Sequence, residues 1–191
     1  MTSQCRCGVY PRFERTLRLK TIGSIPQLIP LDTMKFVPVK KIRLPLGVYK
    51  QDLIVFVTIS TADRQKWFTE SPKLADDAAT ILIETCRERT SSLFAWCIMP
   101  DHVHLLVGDE NIISFVRAFK GRMIPRARAI SPFKKLWQRS FYDHILRSTE
   151  SIMDIAGYIF ENPVRSGLVA LPHQYPFVGS EVWPNWRASY S

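Results

Sequence analysis

The pattern of apolar and polar positions becomes readable at Leu53. Leu53 to Ile59 (Leu-Ile-Val-Phe-Val-Thr-Ile) is a short β-branched and aromatic run, which predicts a central strand. Ser71-Pro72 supplies a cap and a first-turn proline. Leu74, Ala78, Ile81, Leu82 and Cys86 follow at helical spacing and predict a helix to about Arg89. Leu93 to Met99 and His102 to Val107 read as two more strands, and the short break at Pro100-Asp101 makes them an antiparallel hairpin. A second helix starts near Asn111, with Phe115 and Phe119 on one face, and Pro125 is expected to interrupt it before Ser131-Pro132 closes the segment. Leu136 to Leu146 reads as a fourth strand. The last helix runs from a cap at Ser148 or Thr149 to Asn162, where Pro163 is expected to end it, and Ile152, Ile155, Ala156 and Ile159 form its apolar stripe.

This order is the split β-α-β arrangement of an α+β, ferredoxin-like (RRM-like) antiparallel sheet. Helices are expected on one face, with the other face free for a ligand or partner until a C-terminal helix crosses it. At 191 residues the chain suits one domain, expected over 34–191, with 171–191 an irregular tail carrying Trp183 and Trp186. Residues 1–33 show no period and are expected to be an irregular N-terminal extension; Met34 opens the segment Lys35 to Tyr49, which looks like a natural beginning.

Charge narrows the partner. The formal net charge is +9, and residues 1–50 hold ten Lys or Arg against only Glu14 and Asp32. Residues 117–139 hold eight cations (Arg117, Lys120, Arg122, Arg126, Arg128, Lys134, Lys135 and Arg139) and no acid. Clustered cations bind polyanions by releasing condensed counterions, which favours nucleic acid over mere solubility. With 46% hydrophobic and 23% charged residues the composition is that of a globular protein. No apolar run is long enough to cross a bilayer and no secretory core opens the chain, so the expected location is cytoplasmic, at the nucleoid, with no membrane partner. Cys86 and Cys97 fall in apolar patterns and read as core; Cys5-Arg6-Cys7 is too tightly spaced for a usual structural zinc pair.

The candidate chemistry starts at His102-Val103-His104. Side chains two apart in a strand share a side, so both imidazoles project together while Val103, Leu105 and Val107 point the other way. Paired imidazoles are half of a divalent metal site, although two strand histidines are more often ordinary residues. Tyr158 lies off the apolar stripe of the last helix, with Asn162 one turn further on the same face. A helix laid across the sheet would bring that phenol and that amide oxygen towards the imidazoles. A metal on a non-bridging oxygen screens the charge that protects a phosphodiester. A phenol attacks poorly until its proton is removed, but a phosphotyrosine stores the broken bond's energy, so rejoining needs no ATP.

The run Trp96-Cys97-Ile98-Met99-Pro100-Asp101-His102-Val103-His104-Leu105-Leu106-Val107 resembles the histidine motif of the HUH single-strand transposases. Leu136-Trp137-Gln138-Arg139-Ser140-Phe141-Tyr142-Asp143-His144 leads on to Tyr158-Ile159-Phe160-Glu161-Asn162-Pro163-Val164-Arg165-Ser166-Gly167-Leu168-Val169. Together these resemble the REP-associated tyrosine transposases, over roughly residues 40–180. The resemblance implies that His102, His104 and Asn162 bind Mg²⁺ or Mn²⁺ and that Tyr158 is the nucleophile. It further implies that hairpin-forming single-stranded DNA is cut to a 5′-phosphotyrosine and a free 3′-hydroxyl, by a monomer in preference to a homodimer.

Rival assignments remain at this level. Tyr142 competes with Tyr158, on a predicted strand face shared with Gln138, Ser140 and His144, but lacks a ligand-capable residue one turn away. Glu161 competes with Asn162 as third ligand. Lys120, Arg139 and Arg165 are candidate DNA contacts, each as plausible as solvated surface. His144 reads as a satisfied strand histidine, His173 as a tail residue without a role, and Trp67 and Phe68 as core or base-stacking groups. Two other functions compete: a catalytically inactive DNA-hairpin-binding regulator, and an RNA-binding module on the same sheet.

Overall fold

The computed structural model describes residues 53–147 and 150–190. The expectations for residues 1–33 and for Lys35 to Tyr49, and the caps at Ser148 or Thr149, lie outside the described residues. The elements are β1 (Leu53–Ser60), α1 (Trp67–Glu70), α2 (Pro72–Arg89), β2 (Ser92–Met99), β3 (His102–Asp109), α3 (Ile112–Ile130), β4 (Tyr142–Ile145), α4 (Ile152–Arg165) and β5 (Val178–Gly179). Among the described residues no helix is long and apolar enough to cross a membrane.

The strands form one antiparallel sheet in the order β4-β1-β3-β2-β5. Its first four members reproduce the predicted ferredoxin-like arrangement. The side-chain period of two sorts residues between faces. Val55, Val57, Ile59, Val103, Leu105 and Val107 pack against α2 and α3. Phe56, Ala95, Cys97, Met99 and Leu106 pack instead against Ile155, Ala156, Ile159 and Phe160 of α4. A bulge between Leu93 and Ala95 resets the alternation in β2, so that Ala95 and Trp96 each reach the face that suits them. The second face is therefore free only in part, since α4 covers much of it. Trp67, Phe68, Cys86 and Cys97 are all buried, which settles the first two as core.

Four boundaries differ from expectation. Pro125 does not interrupt α3, because it lies on the exposed side of a helix whose other side is anchored by Met123 and Ala127. There the lost donor leaves a carbonyl facing water, which can satisfy it. Pro163 does not end α4, which continues to Arg165; it falls in the last turn, where Ser166 N donates to the Asn162 carbonyl at 3.0 Å. The fourth strand is confined to Tyr142–Ile145. Upstream, Leu136 and Trp137 turn into the helical core, with Trp137 Nε1 donating to the Lys120 carbonyl at 3.2 Å. The segment meets the end of β1 through Gln138 N to the Ser60 carbonyl, and the residues after it through a Thr61–Trp137 bridge and Ala62 N to the Leu136 carbonyl. The tail is not wholly irregular. Val178–Gly179 adds β5 beside Cys97 and Trp96. Glycine is needed there because a Cβ on residue 179 would sit 2.7 Å from the Trp96 ring.

Candidate active site

The site forms where β3 meets β1 beneath α4. Thr58 pairs with His104 and Ser60 with His102 in the β1–β3 register. Both histidines sit at the start of β3, directly after the tight turn at Pro100-Asp101. Their Nε2 atoms converge to 3.0 Å. The opposite ring nitrogens are occupied: His102 Nδ1 bonds Asp101 Oδ1 at 2.6 Å, and His104 Nδ1 bonds Thr58 Oγ1 at 2.9 Å. Both rings are thus held in orientation from behind.

His104 is buried, at 4% exposure, and stacks on Phe56 with ring centroids 5.5 Å apart. Burial, and then the charges of His102, Arg64 and Arg165, push its imidazole well below the usual histidine value, so it stays neutral. Asp101 is pushed up by burial. The hydrogen bond from His102 and the charges of His102 and Arg64 outweigh this, and its carboxyl ends below the usual range.

Tyr158 is carried here by α4, whose N-terminus is capped by Ser151 Oγ accepting from Asp154 N at 3.2 Å. The Tyr158 ring lies 6.0 Å from the His104 ring and 6.0 Å from Phe56. The Arg165 guanidinium stands over it, 4.7 Å from the ring centre. Asn162 is 9% exposed, and its Nδ2 donates to the Tyr158 carbonyl at 3.3 Å.

The rival residues fall elsewhere or take other work. Tyr142 packs its ring edge against Phe56 at 6.3 Å, and burial, followed by the charges of Asp143, Glu150 and Tyr158, pushes its phenol up. The strand face once expected for Gln138, Ser140, Tyr142 and His144 does not form, because β4 begins only at Tyr142. His144 Nε2 meets both carboxylate oxygens of Glu150, at 2.9 and 3.1 Å, and so closes the loop into α4. Burial pushes the Glu161 carboxyl up, and the charge of Arg165 offsets part of this. His173 lies in the turn Pro172–Gln174. Lys120 Nζ donates to the Gln138 carbonyl at 2.7 Å, and Arg139 is exposed on the segment before β4. The structure thus brings together His102, His104, Tyr158 and Arg165, and leaves Lys120 and Arg139 on the segment side of the sheet edge. Asp101, Thr58 and Arg64 were not foreseen; only the first stands within the histidine motif.

The ferredoxin-like sheet thus turns a His-x-His strand towards a tyrosine-bearing helix. The chain belongs to the family of IS200-like transposases, whose model matches residues 49–162. It is 30% identical over 100 residues to the REP-associated tyrosine transposase of Escherichia coli K12, covering 50% of this chain and 58% of that protein. A candidate REP-associated tyrosine transposase of Haemophilus influenzae is 26% identical over 160 residues, 71% of this chain and 90% of its own length. The fold is shared with a solved REP-associated tyrosine transposase bound to a REP hairpin, at a TM-score of 0.58 and 22% identity, over 78% of this chain and 84% of that one.

Proposed function

We propose that this transposase-family protein is a metal-dependent endonuclease and strand transferase that cleaves hairpin-forming single-stranded DNA through a 5′-phosphotyrosine on Tyr158. The observation that carries this reading is the convergence of the two histidine Nε2 atoms, 3.0 Å apart, with the Tyr158 ring 6.0 Å from that of His104. The hairpin-bound relative of the same fold supports the choice of DNA.

The donor set fits a divalent cation. Two cis ligands with bonds of ~2.1 Å to an octahedral ion stand ~3 Å apart, and both imidazoles offer a nitrogen whose opposite partner is already fixed. Among the described residues no cluster of three or more His, Cys, Asp or Glu side chains is placed to hold a metal. As third protein ligand, Asn162, whose amide nitrogen donates to the Tyr158 carbonyl, would offer a neutral oxygen. Mg²⁺ or Mn²⁺ held by His102, His104 and Asn162 would screen a non-bridging phosphate oxygen and orient the scissile bond.

The protein's own groups do the rest. Phe56 and Arg165 fix the plane of the Tyr158 ring. Tyr158 Oη attacks phosphorus, the P–O3′ bond breaks, and the leaving 3′-oxygen takes up a proton. Attack by another 3′-hydroxyl on the phosphotyrosine then restores a diester and frees the phenol. In this reading Arg165 would meet the incoming phosphate, and Arg139 and Lys120 would follow the flanking strand. One chain is the working unit in this reading.

The test is a labelled single-stranded hairpin incubated with protein and Mn²⁺. A covalent adduct is expected, reduced at least ~1000-fold by Tyr158→Phe and retained by Tyr142→Phe. Tight DNA binding without an adduct would make the protein a regulator. Preference for RNA would make it an RNA-binding module.

A further inference from the structure

The segment that follows β1 grips the turn that precedes His102. Thr61 N donates to the Asp101 carbonyl at 2.9 Å, and the single Thr61 hydroxyl proton is shared between that carbonyl, at 2.9 Å, and the Gln65 carbonyl, at 2.7 Å. Phe68 N donates to the Pro100 carbonyl at 3.1 Å, and Trp67 and Phe68 anchor the same segment in the core. Arg64 completes the grip. Its Nε pairs with Asp101 Oδ2 at 2.8 Å, and one of its terminal nitrogens donates to Ser60 Oγ at 3.1 Å. The other oxygen of Asp101 is the one that meets His102 Nδ1.

Backbone conformation points the same way. Asp63 and Arg64 are consecutive non-glycine residues at φ 52° and 57°, the left-handed region that L-residues avoid. A structure keeps such a conformation where surrounding contacts over-determine it, and these contacts converge on Asp101. Arg64 is itself 48% exposed, but its partner Asp101 is only 19% exposed and shared with His102, which a solvated surface pair would not be.

We propose that Arg64 is a positioning residue for the metal site: through Asp101 it fixes the rotation and the proton-bearing nitrogen of His102, so that His102 Nε2 meets the cation beside His104. This rests on the metal reading above. Arg64 acts through a carboxylate and an imidazole and is not itself a ligand. Removing it leaves His102 in place but free to turn, which weakens metal affinity without removing a donor.

The experiment is a calorimetric titration of the full chain with Mn²⁺ alone, beside hairpin binding in EDTA and a thermal melt. Arg64→Ala is expected to weaken Mn²⁺ binding about 10-fold or more, with hairpin affinity in EDTA unchanged and Arg64→Lys restoring part of the loss. Arg87→Ala, at a surface arginine paired with Glu181, serves as the control and should alter neither. Should Arg64→Ala fail to fold, Arg64→Gln and Asp101→Asn read the same contrast from the two ends of the relay. Mn²⁺ affinity within twofold of wild type in a folded Arg64 variant overturns the inference. So does lost hairpin affinity with Mn²⁺ binding intact, which would make Arg64 a phosphate contact. Wild-type protein that binds no Mn²⁺ would overturn the metal reading itself, and this inference with it.

Discussion

The two ends of β3 are built from the same parts and used differently. At its start, Asp101 joins Arg64 to His102; at its end, Asp109 joins Arg89 to the α3 cap. Asp109 spends all its capacity inward. It accepts from Arg89 Nε at 3.0 Å and from a terminal nitrogen of Arg89 at 2.9 Å, from Asn111 N at 2.6 Å, and from Ser91 Oγ. Asp101 passes one of its bonds on to an imidazole whose far nitrogen converges with another. One cluster is closed and holds the hairpin β2–β3 to α3; the other ends in nitrogens that can take a ligand. An Arg–Asp pair beside a strand therefore says little until the last acceptor in the chain of contacts is found.

Three substitutions and one titration would break or sharpen this contrast. The largest effect is expected at the open end: His102→Ala should weaken Mn²⁺ binding by roughly 1000-fold, about 4 kcal/mol, while the melting temperature moves little. Calorimetry and a melt on one sample would check both. At the closed end the pattern should invert. Asp109→Asn should lower unfolding free energy in urea by about 3 kcal/mol, because it leaves a partly buried guanidinium without its charge partner, and Mn²⁺ affinity should persist.

The acid limb follows from the same carboxylate. Burial pushes Asp109 up, but hydrogen bonds from Arg89, Ser91 and Asn111 hold it below the usual range. Its folded value thus lies under its unfolded one, near ~3.9. The stability it contributes is complete above that value and is lost as pH falls through the folded one. Urea midpoints between pH 5 and pH 2.5 should fall more steeply for wild type than for Asp109→Asn; equal slopes would remove Asp109 from the account. The smallest change is expected for Arg122→Ala, which breaks exposed pairs with Glu84 and Glu88 across α2 and α3 and should cost less than about 1 kcal/mol.

Much of this was legible in the chain itself. The strand around Val57 was found as an unbroken β-branched and aromatic run, which is what burial on both faces leaves in a sequence. His102 and His104 were paired, and opposed to Val103, by the strand period of two. Tyr158 was separated from the stripe of Ile155 and Ile159 by helical phase. What escaped was non-local. Trp137 leaves the predicted strand because a carbonyl on α3 accepts its indole proton, and no window around residue 137 contains that carbonyl. Pro125 and Pro163 looked like stops because a lost donor matters only by where its carbonyl faces, which depends on packing. Arg64 reaches Asp101 across 37 positions of sequence, with no motif to announce it.

The outer strands of the sheet carry a last consequence. β4 spans four residues and β5 only two, the latter pressed against the Trp96 ring by Gly179. Among the described residues both outermost strands are therefore short, and a stray β-segment from another molecule would find little rail on which to extend the sheet.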